Sequence, residues 1–213
     1  MNTSVAFIGM SNTGKSRFAT PKLEALGFTK VCVDDEIEKR LGPELVKLGY
    51  SGIEEMAKWM GQPFEEQYSE NSTTYLEHEI EVMWQVLGRL KRGERLVIDT
   101  TGSVIYTGSR ILEGLREQAT IVLLDAPQEL QDELLVEYLT NPKPRIWGDD
   151  TYRPWQGEEP MEALKRCFPD LLAMRYLRYH KLAHFTIDYR VVRNPAFTGQ
   201  TLLDMIGVVG TTH

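Results

Sequence analysis

Residues 9–16 read Gly9-Met10-Ser11-Asn12-Thr13-Gly14-Lys15-Ser16, a complete G-x-x-x-x-G-K-[ST] pattern, and no other stretch narrows the possible folds as much. Such a loop works only between a buried strand and a helix. Both are legible: residues 4–8 are an apolar run of strand length, and residues 16–26 carry a helical pattern closed by Gly27. Gly9 and Gly14 let the backbone turn so that successive N–H groups, Asn12 and Thr13 among them, and the helix N-terminus face a chain of phosphates. Lys15 then reaches the β- and γ-phosphates and the Ser16 hydroxyl ligates Mg²⁺. The stretch predicts a nucleoside triphosphate site.

The rest of the chain alternates in the same way. Residues 29–33 form a β-rich run that ends at Asp34 and Asp35, and residues 36–41 start a helix that Gly42 is expected to stop. Carboxylates at the C-terminal end of such a strand sit where open α/β sheets hold ligands; capping of the following helix is the plainer role for either one. Between residues 43 and 67 glycines and prolines break the chain into short helical pieces. Apolar residues then recur at three to four positions through residues 71–92, a long helix that predicts Met83 and Trp84 in the core. Residues 95–99 are a further buried strand ending in Asp99, a carboxylate placed for the metal side of a triphosphate site, followed by the small residues Thr100, Thr101, Gly102 and Ser103. Residues 109–117 read as a helix, 120–125 as a strand, and 127–139 as a helix opened by Pro127. From 141 to 160 the periodicity vanishes among prolines, glycines and basic residues, the pattern of a mobile lid. Residues 161–183 are helical with an interruption expected at Pro169, 185–188 supply a fifth strand, and 198–206 a last helix.

With 42% apolar residues in 213 the chain can bury its own core. A formal charge of −7 opposes binding to a nucleic-acid backbone. Cys32 and Cys167 form no C-x-x-C pair, so neither a disulfide framework nor a zinc site is indicated, and a reducing cytoplasm fits. A chain that opens directly on a core strand is expected to carry no signal peptide, and no apolar run has the length of a membrane span.

Four landmarks resemble the shikimate kinase family. They are the phosphate loop, the Asp34-Asp35-Glu36-Ile37-Glu38 segment ending at Gly42, the Thr101-Gly102-Ser103 turn where the family has a glycine triplet and serine, and Arg175-x-x-x-Tyr179-x-x-x-Ala183 followed by Arg193-Asn194-Pro195. The resemblance implies a three-layer α/β fold of the P-loop kinase type, a five-stranded, mostly parallel sheet with helices on both faces, in one domain over residues 1–213. About 42–70 would be a substrate-side insertion and about 141–160 the lid. It implies ATP and Mg²⁺ as cofactors and a small-molecule hydroxyl acceptor as the partner, with no nucleic acid or membrane, in a monomer or homodimer. Asp34 would orient the acceptor hydroxyl, with Thr101 and Gly102 beside it. Arg175 would pair with an acceptor carboxylate, Arg145 in the lid would approach the transferred phosphoryl group, and Arg193 and Pro195 would flank the adenine.

The departures bear on the acceptor. Cys32 stands where the family has a metal-side aspartate, which leaves that task to Asp99, and residues 61–67 offer no counterpart to the family's second carboxylate-binding arginine. Two other readings start from the same residues. Asp99-Thr100-Thr101-Gly102 also satisfies the D-x-x-G pattern of a GTPase switch, although no N-K-x-D segment is present; a nucleotide-binding pseudokinase would keep the loop and lose the acceptor chemistry.

Overall fold

The structure, a computed structural model, describes residues 3–127, 130–140, 143–148 and 150–208. Residues 128 and 129 of the expected sixth helical stretch, and Asn141, Pro142 and Asp149 of the expected lid, lie outside the described residues.

Each apolar run of the sequence becomes a strand: β1 Val5–Ile8, β2 Thr29–Cys32, β3 Leu96–Asp99, β4 Thr120–Asp125 and β5 Phe185–Asp188. They pair in the order β2-β3-β1-β4-β5, every neighbouring pair parallel. The central strands β1 and β3 are buried at every residue, whereas the edge strands β2 and β5 are half exposed. Unbroken apolar runs belong in the middle of such a sheet because helices cover both faces. Alternation along β1 divides the core: Ala6 and Ile8 join one cluster, Val5 and Phe7 the other. The first lies under α2 Val33–Lys47, α4 Tyr68–Lys91, α5 Ser109–Gln118 and α7 Pro160–Leu182; the second lies under α1 Thr20–Glu24 and α9 Gly199–Ile206. The short helices α3 Ile53–Met60, α6 Gln131–Thr140 and α8 Tyr189–Arg193 complete the described elements. Among the described residues no helix is long and apolar enough to cross a membrane.

Three local expectations are corrected. Helix α2 does not stop at Gly42 but runs through Gly42 and Pro43 to Lys47. Its buried stripe of Ile37, Leu41 and Leu45 gains on the order of 1.5–3 kcal/mol per side chain, against about 1 for the glycine and about 3 for the proline. Packing therefore outweighs both breakers. Helix α7 likewise continues through Pro169, with Phe168, Leu171 and Leu172 buried around it. Trp84 is not in the core: it is 47% exposed beside a fully buried Met83, because α4 turns only one face to the sheet and the residue next to Met83 falls off that face.

Candidate active site

The phosphate loop leaves β1 at a point where only glycine fits. Gly9 has φ 136°, and a Cβ there would lie 2.6 Å from the Leu124 carbonyl oxygen of the neighbouring strand. Gly14 has φ 98°, and the backbone then winds through a wide turn, Lys15–Ala19, in which the Phe18 and Ala19 amides both donate to the Gly14 carbonyl. Asn12 also takes a left-handed conformation, φ 65°, and the Thr13 hydroxyl donates to the Met10 carbonyl at 3.0 Å. Lys15 folds back under the loop and donates to the Gly9 and Met10 carbonyls at 3.1 and 2.9 Å. Burial lowers its pKa, while the nearby carboxylates of Asp99 and Asp34 hold it up.

Asp99, the carboxylate expected on the metal side, sits at the end of β3. Register pairs Asp99 with Cys32 of β2, so an acidic group stands one strand inward from the cysteine. Asp99 is 2% exposed, its Oδ2 has no hydrogen-bond partner, and its pKa is raised by burial against the opposing pull of Lys15 and a hydrogen bond with Ser16. A buried, unsatisfied carboxylate oxygen beside a hydroxyl suits a hard divalent cation, and Mg²⁺ needs only one or two protein oxygens when phosphates supply the rest. The Cys32 thiol is pushed up to about 12, by burial first and then by the surrounding carboxylates, and stays protonated.

Asp34 is not a helix cap. Cys32 occupies that position, and Asp34 lies in the first turn of α2, where its Oδ1 accepts a hydrogen bond from the Tyr75 hydroxyl at 3.0 Å. Burial raises its pKa, with the Tyr75 bond opposing. One helical turn beyond Tyr75 stands Glu79, completely buried. The Thr101 hydroxyl donates to its Oε1 and the Ser103 hydroxyl to its Oε2, the latter at 2.6 Å. Burial pushes the Glu79 carboxyl up to about 7, although both hydroxyls and Arg175 favour its ionised form. Arg175 is only 2% exposed; its Nη2 donates to the Ile146 carbonyl at 2.7 Å, and a Cβ on Gly102 would come within 3.0 Å of its Nη1. The Tyr179 hydroxyl, one turn further along α7, donates to the Gly102 carbonyl at 2.5 Å.

The stretch expected as a lid forms neither helix nor strand over its described residues 143–148 and 150–159, yet it is fastened in the middle. Ile146 and Trp147 are buried, and the Tyr68 hydroxyl bridges the Arg145 carbonyl and the Trp147 amide. The Arg145 guanidinium stacks over Tyr138 at 4.3 Å and Phe168 at 5.1 Å, and burial together with the charge of Arg175 lowers its pKa to about 10. Lys143 reaches the loop instead, donating to the Asn12 Oδ1 at 3.2 Å. Arg193 donates to the Asn12 carbonyl at 2.7 Å and lies over the Tyr189 and Phe18 rings.

These groups line one cleft of about 620 Å³. It brings together Asn12, Thr13, Gly14, Lys15, Ser16, Asp34, Asp99, Thr101, Gly102, Arg175 and Arg193 of the sequence expectations. Gly9 lies beneath the loop, Arg145 lines a smaller adjoining void, and Pro195 is exposed outside the cleft. The chain is similar in structure to a shikimate kinase from Acinetobacter baumannii in complex with shikimate, with a TM-score of 0.60 and 24% identity over 97% of this chain and 93% of that one. The fold is that of a shikimate kinase. Two further shikimate kinases agree: that of Bacteroides thetaiotaomicron, TM-score 0.60 at 16% identity over 96% and 98% of the two chains, and that of Aquifex aeolicus, TM-score 0.57 at 16% identity over 96% of each. No family model and no curated protein sequence matches the chain.

Within this shikimate kinase fold the cleft contains residues that sequence reasoning passed over. Tyr75 was legible only as an apolar position of a long helix, and Glu79 not at all, although a carboxylate on the stripe of Tyr75, Met83 and Val86 is a signal of its own. A buried carboxylate needs partners, and those partners are the turn after β3. Tyr189, which lines the cleft, carried no pattern that set it apart, whereas Lys143 belongs to the basic residues of the expected lid.

Proposed function

We propose that the chain is an ATP-dependent small-molecule kinase, shikimate kinase-like, that transfers the γ-phosphoryl group to a hydroxyl of a small metabolite. The observation that carries this reading is that Asp34 shares a cleft with Lys15 and Asp99, close enough for the three charges to perturb one another. Phosphoryl transfer asks a protein for positioning and charge neutralisation rather than covalent help. Lys15 neutralises phosphate charge, its ammonium leaving the loop carbonyls that hold it. Asp34 accepts the hydrogen of the acceptor hydroxyl, whose oxygen bonds to the γ-phosphorus as the bond to the departing ADP oxygen breaks, and the proton goes to Asp34. Its burial makes it a stronger base than an exposed carboxylate. Asp99 and Ser16 would hold Mg²⁺, which supplies further neutralisation of the phosphate oxygens. Thr101, Gly102 and Arg175 face the acceptor, while Arg193, Tyr189 and Phe18 offer flat surfaces to the base. Lys143 and Arg145 bring positive charge from the lid, residues 141–160, and 42–70 form a substrate-side insertion in one domain. Free thiols at Cys32 and Cys167 fit a reducing cytoplasm.

Calorimetric titration with ATP and GTP, beside ADP release in the presence of hydroxylated acceptors, tests the reading. ATP is expected to bind more tightly than GTP, and Lys15→Ala to lose binding and turnover together while remaining folded. Wild-type turnover in Lys15→Ala sinks the kinase reading, and a preference for GTP favours the switch.

A further inference from the structure

Around the turn after β3 the hydroxyl hydrogens go to groups of the protein rather than to the cleft, while Ser11, also lining the cleft near Gly102, keeps a hydrogen to give. A hydroxyl has one hydrogen to give. Thr101 and Ser103 give theirs to the two oxygens of Glu79, Tyr75 gives its own to Asp34 at 3.0 Å, and Tyr179 to the Gly102 carbonyl at 2.5 Å. The Thr101 oxygen also accepts the Ser103 amide at 3.0 Å. The Thr101 and Ser103 hydroxyl oxygens also lie 3.0 Å apart, so Thr101 is saturated within the turn and Ser103 is left with a lone pair for the cleft that Asp34 also lines. The charges at this end are two carboxylates, Asp34 and Glu79, against the guanidinium of Arg175, whose Nη2 is committed to the Ile146 carbonyl; Lys15 and Lys143 act on Asp34 from the nucleotide side.

We propose that the acceptor is an uncharged polyhydroxylated molecule, a sugar or polyol, held by the hydrogen-bond acceptors Asp34 and Ser103, the latter kept facing the cleft by Glu79. This rests on the phosphoryl-transfer reading and names the substrate class for it. A polyol brings donors to these acceptors and oxygens to the Ser11 hydroxyl and the Arg175 guanidinium, both of which line the cleft. A carboxylate brings only lone pairs to Ser103 and Asp34, and its charge meets Asp34 and Glu79. Buried polar sites reject ligands that leave them unpaired far more strongly than apolar pockets reject a change of size. Glu79 has no solvent exposure and touches the acceptor through Ser103, so it acts as a positioning residue.

The test is steady-state ADP release at about pH 8, where Glu79 is ionised, with neutral and acidic compounds on related skeletons: glucose against gluconate, glycerol against glycerate, a cyclohexane polyol against shikimate. The neutral partner is expected to have the higher kcat/KM, on the order of tenfold or more. Glu79→Gln places an amide NH₂ against one of the two hydroxyls, whose hydrogen then turns into the cleft, and the neutral-to-acid ratio is expected to narrow about fivefold. A merely structural role for Glu79 lowers both members of a pair alike and leaves the ratio unmoved, which overturns the proposal. Ser103→Ala removes that lone pair from the cleft and is expected to narrow the ratio in the same sense, which keeps the test alive should the Glu79 variant not fold. Equal use of both classes, preference for the acids, or no turnover of any compound by a protein that binds ATP through Lys15 overturns the polyol class and leaves the nucleotide site standing. Failure of ATP to bind overturns both.

Discussion

Replacing Glu79 by glutamine tests the electrostatics of the cleft without any knowledge of its ligand. A carboxyl that titrates near 4.5 in the unfolded chain and about 7 in the folded one is held more easily with its proton on. Its stability contribution is therefore complete below the lower value, and it is lost as pH rises through the window between the two, because the unfolded chain releases its proton first. Integrating that difference from pH 5 to pH 8 gives a loss on the order of 2–3 kcal/mol in the wild type, which the uncharged glutamine does not suffer. Asp34 and Asp99, also raised by burial, contribute in the same sense to both proteins and largely cancel in the comparison. Glutamine misfits the two hydroxyls at every pH, so the variant starts lower at pH 5 and gains on the wild type as pH rises. Urea unfolding of both proteins at pH 5, 6, 7 and 8 measures this directly. Wild-type and variant stabilities that run parallel across the window to within about 0.5 kcal/mol would refute the claim that burial governs Glu79.

The other expectations concern the residues around it. Asp34→Asn should leave ATP affinity near wild type and reduce transfer about a hundredfold or more, the scale of a lost acid–base group; calorimetry and turnover on the same sample decide, and unchanged turnover returns Asp34 to a structural partner of Tyr75. Asp99→Asn should raise the Mg²⁺ concentration that half-saturates nucleotide binding, since an amide oxygen is a weaker ligand than a carboxylate; an unaltered Mg²⁺ dependence removes Asp99 from the metal side. Gly9→Ala forces a Cβ to within 2.6 Å of a backbone oxygen at φ 136° and should cost at least 1–3 kcal/mol along with nucleotide binding; a thermal midpoint equal to wild type would contradict the geometry at the start of the loop.

Much of the fold was legible because it rests on local signals. A G-x-x-x-x-G-K-S loop after an apolar run specifies strand, turn and helix together, and each later strand announced itself by a short apolar stretch ending in a polar turn. The errors come from what a single residue cannot show. Gly42, Pro43 and Pro169 read as breakers because propensity is a property of the residue, whereas what holds α2 and α7 through them is burial against elements far away in sequence. Trp84 was misplaced for the converse reason, its size being visible and its face not. In the cleft, residues tied to the loop and strand ends were found, since topology alone brings them together. Glu79 was missed because its partners, Thr101 and Ser103, come from a turn after another strand, and only the packing of α4 against the sheet reveals that the three meet.

The strand order has a consequence for how such a protein can change. With β1 in the middle, everything that touches the proposed acceptor from the sheet comes from β2 and β3 on one side, while the groups around the proposed base follow β5 on the other. The loop of β1 is the hinge of this division of labour and touches both halves. Drift in α4 or in the turn after β3 can therefore reshape the acceptor pocket while the nucleotide half is left alone. Grafting those two segments from a protein of the same fold is the natural unit of exchange for engineering a new acceptor.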